Sequence, residues 1–149
     1  MNKPRPYSNG VTMAIRDFIP SKNKPLVQFT AQGEPASKAN RRRLVAIRGR
    51  TRFIKSKKAL DFVRYFYHQC PRFDPLLEGD LIIAIEIFYA SRRPDLDESI
   101  ILDAMQGLIY KNDRQVKERH VYWALDKENP RARIKIWALA ENPLTGKTP

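Results

Sequence analysis

Between Leu81 and Tyr89 the chain reads LIIAIEIFY, a nine-residue run whose only charge is Glu86. A membrane helix needs about 20 apolar residues, so this run is far too short to be one. It does not alternate between apolar and polar positions as a half-exposed strand does. It fits a central β-strand covered on both faces. Such a strand needs a hydrogen-bonding neighbour on each side and packed layers above and below. The chain is therefore read as a single domain with room for one β-sheet and two or three helices. Its 149 residues suit that size. Glu86 must either reach the sheet edge or meet a cation, because an isolated buried carboxylate is costly. Service as a metal-site carboxylate is a third option.

The remaining elements follow from shorter signals. Leu26 to Thr30 forms a strand ended by Gly33-Glu34-Pro35. Ser56 is a good N-cap for a helix from Lys57 to Cys70, in which Ala59, Phe62, Val63, Phe66 and Cys70 share one face. His68 falls on the opposite, polar face with no second histidine at ligand spacing. Near the end, Glu118 to Leu125 and Arg131 to Ala138 alternate around the turn Lys127-Glu128-Asn129-Pro130, the pattern of a closing hairpin. Trp123 and Trp137 are read as packing or dimer residues rather than base-stacking platforms. Residues 1–24 read as a flexible N-terminal arm, 25–140 as the folded domain and 141–149 as a loose tail.

Charge narrows the partners. Lys and Arg total 28 against 16 Asp and Glu, a formal charge of +12. That excess favours polyanions, nucleic acid first. The basic residues concentrate at Lys38, Arg41, Arg42, Arg43, Arg48, Arg50, Arg52, Lys55, Lys57 and Lys58, a stretch without a single acid. Leu44 to Ile47 and Thr51 to Ile54 flank Arg48-Gly49-Arg50, which marks a hairpin closed by a glycine turn. A basic ribbon can lie along a phosphate backbone and release counterions. The alternative is a solvated edge whose charges discourage strand pairing. With Cys70 the only cysteine, an intrachain disulfide and a Cys-rich zinc site are excluded. No apolar run of 18 or more residues is present, so no membrane association is expected, and the reading is a cytoplasmic protein of a bacterial cell or a virus-infected host.

Against that positive background, Asp95, Asp97, Asp103 and Asp113 cluster within a short segment. Pro94 ends regular pairing after the central strand. In extended backbone, positions i and i+2 project to the same side, so Asp95 and Asp97 are expected to aim at one point. Asp113 is expected at the start of a strand beside the central one, so that three carboxylates converge. Carboxylates crowded in this way repel unless a cation lies between them. Mg²⁺ suits that place because it prefers oxygen ligands and keeps waters that phosphate can displace. Such a centre would support metal-assisted phosphodiester hydrolysis.

The order Arg93-Pro94-Asp95-Leu96-Asp97, then Leu102-Asp103-Ala104-Met105-Gln106-Gly107, then Asn112-Asp113-Arg114-Gln115-Val116 resembles the RusA family of Holliday junction resolvases. The family pattern runs RPDxDN, LDAL and DDxQV. The resemblance implies a homodimeric, Mg²⁺-dependent endodeoxyribonuclease of recombination and repair, with Mn²⁺ as a substitute metal. Its fold would be RusA-like, an α/β (α+β) single domain around a mixed β-sheet of about four or five strands with two main helices, and its substrate branched DNA, the four-way junction. The family's three essential aspartates fall on Asp95, Asp97 and Asp113 as catalytic residues and metal ligands, with Asp103 a further candidate ligand. The chain departs from the pattern at Glu98, where the family has Asn, and at Asn112, where it has Asp. It departs again at Ile101, which stands at the spacing of a functional lysine. Those departures keep open a junction-binding protein that does not cut; a metal nuclease acting on flaps or RNA is a further alternative, because one chain does not encode the shape of its substrate.

Overall fold

The structure is a computed structural model that describes residues 24–36 and 42–139. The N-terminal arm to residue 23, Lys38, Arg41 and the tail 141–149 lie outside the described residues.

In chain order the elements are β1 (Val27–Gln32), β2 (Arg42–Ile47), β3 (Arg50–Lys55), α1 (Lys57–Gln69), β4 (Leu81–Tyr89), α2 (Ser99–Met105), β5 (Val116–Leu125) and β6 (Arg131–Ala138). A mixed four-stranded sheet has the order β1-β6-β4-β5, and β2 with β3 makes a separate two-stranded ribbon. The apolar run is β4, with a neighbour on each side: parallel to β5 and antiparallel to β6. Every residue of β4 except the half-buried Phe88 is buried.

The two faces of β4 meet different surroundings. Ile83, Ile85 and Ile87 join Ala59, Phe62 and Phe66 of α1 and Ile101 and Met105 of α2 in the main core. The Phe66 ring sits 5.9 Å from Phe29 and 5.8 Å from Phe62. Burial of a side chain of that size contributes roughly 2–3 kcal/mol. On the opposite face Ile82, Ala84 and Trp137 form a small cluster with Tyr122 and Leu139. Glu86 shares that face and is 3 % exposed. It meets a cation, since Arg133 stands directly opposite on β6 with its Nη1 3.9 Å from Oε1.

Helix α1 starts as its sequence dictates: the Ser56 hydroxyl accepts the Ala59 N–H at 3.2 Å. His68 is exposed and Cys70 is buried. The expected closing hairpin is not found. β5 and β6 do not pair with each other, because β4 lies between them. A strand as apolar as β4 cannot leave either edge open, so it takes β5 on one side and β6 on the other. The turn 126–130 crosses the end of β4, where the Asp126 N–H donates to the Tyr89 carbonyl at 2.9 Å.

Candidate active site

The loop leaving β4 carries Asp95 and Asp97, and Tyr89 organises it. Its ring stacks on Trp123 at 6.2 Å and 26°. The Tyr89 hydroxyl donates to the Asp95 carbonyl and accepts the Asp97 N–H, both at 3.3 Å. Trp123 Nε1 donates to the Pro94 carbonyl at 3.3 Å. Burial first, then the nearby charges of Asp97, Glu34 and Glu98, push the Tyr89 phenol up to about 12. The hydroxyl therefore stays protonated and able to donate across the neutral range.

The two aspartates occupy different environments. Asp95 is exposed, whereas Asp97 is 2 % exposed. One carboxylate oxygen of Asp97 accepts the N–H at 3.1 Å and the hydroxyl at 2.7 Å of Ser99, the first residue of α2. The aspartate pair has one exposed and one buried member, and residues 93–98 are not a paired strand. They wrap around the Tyr89 hydroxyl, and no sheet imposes its two-residue period on them. Glu98, where the family has Asn, pairs with Arg119 of β5 at 3.2 Å. Ile101, at the spacing of the family's lysine, is buried in the core.

Asp113 opens a turn of 3₁₀-helix, Asp113–Gln115, just before β5. The Asn112 side chain accepts the Arg114 N–H at 2.9 Å, and Gln115 Oε1 accepts the N–H groups of Lys111 and Asn112 at 2.9 and 3.0 Å. Gln115 Nε2 then reaches the carbonyls of Leu77 and Gly79 at 2.8 and 3.1 Å. Gln106 Oε1, from the end of α2, accepts the Asp113 N–H at 2.8 Å. Asp103 is exposed on α2. The buried Tyr110 phenol is raised by burial and then by the charges of Asp113 and Asp103, which places both acids near it.

This arrangement does not gather the three aspartates within one chain. Leu81 pairs with Val116 and Tyr89 with Leu125, so the Asp113 turn lies at the start of β4 and the Asp95 loop leaves its end. The ends of a nine-residue strand stand on the order of 25 Å apart. Among the described residues no group of three or more His, Cys, Asp or Glu side chains is placed to hold a metal ion. A hard cation such as Mg²⁺ needs near-octahedral oxygen ligation. Among the described residues the single chain does not supply it.

The basic ribbon is present as expected. Arg48 and Gly49 close it with φ of 50° and 74°, the two left-handed residues of a tight hairpin turn. The register sets Arg43 opposite Ile54 and Ile47 opposite Arg50, so Arg43, Arg50 and position 52 share one face. Lys55 stands on the other face opposite position 42. The side chains of Arg42 and Arg52 are outside the described part of the structure. Arg43, Arg48, Arg50, Lys55, Lys57 and Lys58 are all exposed, and so is Leu44, at 58 %.

Three residues that matter here escaped sequence reasoning. Tyr89 reads only as the end of an apolar run, Trp123 as packing, and Glu34 as part of a turn. Their roles depend on contacts across 6 to 56 positions, which no local pattern announces.

Among the described residues no helix is long and apolar enough to cross a membrane. No curated protein matches the chain. The family model for endodeoxyribonuclease RusA matches residues 32–137, which include the ribbon, the β4 loop and the Asp113 turn. That match spans well over half the chain, and the mixed sheet with two helices agrees with it. The protein thus belongs to the RusA endodeoxyribonuclease family, DNA-cutting enzymes of the Holliday junction resolvase type.

Proposed function

We propose that this chain is a structure-selective endonuclease that cuts branched DNA, the four-way junction above all, in recombination and repair. The family match over residues 32–137 carries this reading, because it joins the basic ribbon to both acidic segments in one unit. Asp95, Asp97 and Asp113 are the catalytic residues, and Mg²⁺, replaceable by Mn²⁺, is the metal. Asp103 is ranked below those three. The ribbon residues, with Lys57 and Lys58 at the start of α1, hold the phosphate backbones by charge.

The protein acts as a homodimer. Two copies make the paired incisions. A two-fold axis perpendicular to the strands would reverse the β4–β5 pair and set the Asp113 end of one copy toward the Asp95 loop of the other. A second reading, a junction binder that does not cut, draws support from the scattered acids of the single chain and from the buried Ile101.

One set of assays tests both. Wild-type protein is offered a synthetic four-way junction, a flap, a linear duplex and an RNA junction, with Mg²⁺ or Mn²⁺. Asp95→Asn and Asp113→Asn should each lower junction cleavage on the order of a thousandfold while leaving binding intact. Mixing the two inactive variants should restore nicking if one site draws on both copies, since one of the two sites in the mixed dimer is then fully wild type. Full cleavage by either variant removes the catalytic assignment. A folded wild-type dimer that binds and never cuts establishes the binder.

A further inference from the structure

The direction in which the chain leaves β4 is set by one peptide unit, that between Tyr89 and Ala90. Both of its polar groups are held. The Tyr89 carbonyl accepts the Asp126 N–H at 2.9 Å, and the Ala90 N–H donates to Glu34 Oε2 at 3.1 Å. Glu34 comes from the segment after β1, which is itself fastened. The Gly33 N–H donates to the Pro130 carbonyl at 2.9 Å, and Gln69 of α1 bonds both the N–H and the carbonyl of Gln32, at 2.7 and 3.1 Å. Gly33 adopts φ +107°, which L side chains rarely do, and the chain turns there toward the end of β4. The other Glu34 oxygen lies 4.0 Å from Lys58 Nζ. The carboxylate is therefore a mostly covered acceptor at the root of the loop that carries Asp95 and Asp97.

We propose that Glu34 is a positioning residue for DNA cleavage: by fixing the plane of the Tyr89–Ala90 peptide it aims the loop bearing Asp95 and Asp97. The proposal rests on the reading of those aspartates as catalytic. A carboxylate that accepts a backbone N–H makes a charge-assisted bond, stronger than a neutral one. Without it the peptide is held from one side only and can rotate. Misplacing a catalytic group by about 1 Å can cost on the order of a hundredfold in rate.

The test compares Glu34→Ala with Glu34→Gln, whose amide oxygen can accept the same bond. Junction-cleavage kinetics are read together with amide hydrogen exchange over residues 90–98. Glu34→Ala should lower kcat by about 10- to 100-fold with KM within about twofold, and should speed exchange in the loop. Glu34→Gln should keep kcat within about threefold and exchange near wild type. Should Glu34→Ala fail to fold, Glu34→Asp, one methylene too short to reach Ala90, takes its place with the same expected loss. Wild-type kcat in the shortened variant overturns the proposal. So does an equal loss in Glu34→Gln, which would assign the effect to charge instead of the hydrogen bond. If wild-type protein cuts no junction, the catalytic reading of the loop is what fails. Exchange then decides the positioning role alone, and unchanged exchange in Glu34→Ala overturns it.

Discussion

The loop leaving β4 and the turn leading into β5 stand at opposite ends of one parallel strand pair, and they are built on different plans. The turn is local. Asn112 and Gln115 satisfy backbone donors within four residues of themselves, and only Gln106 and the carbonyls of Leu77 and Gly79 enter from outside. The loop depends on residues distant in sequence: Trp123 on the Pro94 carbonyl, Arg119 on Glu98 and Glu34 on Ala90. A local turn keeps its shape whenever its few residues are present. A loop held from elsewhere keeps its shape only while the whole sheet is intact, so its geometry reports on the fold as well as on itself.

Substitutions at the two ends should separate these plans. Asp97→Ala removes a buried acceptor of two bonds from Ser99, the first residue of α2. The expected loss is about 2–4 kcal/mol, measured as a shift in urea midpoint. Gln115→Ala removes four bonds at the other end, but several of those partners reach water. The same measurement should show about 1–2 kcal/mol. Tyr89→Phe deletes one hydroxyl and leaves the Asp97 N–H without it, for about 1 kcal/mol. If Gln115→Ala proves the costliest of the three, the turn is the better-integrated end and the comparison is reversed.

Legibility in the sequence follows the same division. Ser56 capping α1, the Arg48-Gly49 hairpin turn and the uninterrupted apolar run of β4 are local signals, and each appears in the fold where the sequence places it. The partner of a strand is not a local property. β5 and β6, joined by a five-residue turn, read as a hairpin, although β4 separates them. What decides the pairing is the need of β4 for a neighbour on both edges, which neither flanking strand encodes. The spacing of Asp95 and Asp97 says nothing of their surroundings, which differ because Asp97 is buried beside Tyr89 and Ser99 while Asp95 is exposed. The family pattern names the aspartates without telling which end of the sheet each occupies. The Gln of its DDxQV segment does have a visible reason here: Gln115 bonds the turn to itself and to the approach to β4.

The smallest expected effect is read at Cys70, without altering either end. The thiol is buried, donates to the Pro71 carbonyl at 3.4 Å, and lies close enough to Tyr110 to raise that phenol. Burial pushes the thiol up from 9.0 to about 12, with Arg72 pulling weakly the other way. The folded state thus holds this proton more tightly than the unfolded chain does. The associated stability is complete below pH 9 and is lost as pH rises toward 12. Thiol reagents attack the thiolate, so at pH 8 labelling of the folded protein proceeds through opening around Cys70. The segment that follows it is tied to the turn end by the Phe73 and Leu77 N–H groups on the Leu108 and Ile109 carbonyls, each at 2.8 Å. Gln115→Ala, which loosens that end, should speed labelling by about tenfold for each ~1.4 kcal/mol of local stability lost. Tyr89→Phe, at the other end, should change it by less than about threefold. Equal acceleration by both would mean that the two ends open as one cooperative unit, and that the contrast between a locally built turn and a loop held at a distance does not extend to their dynamics.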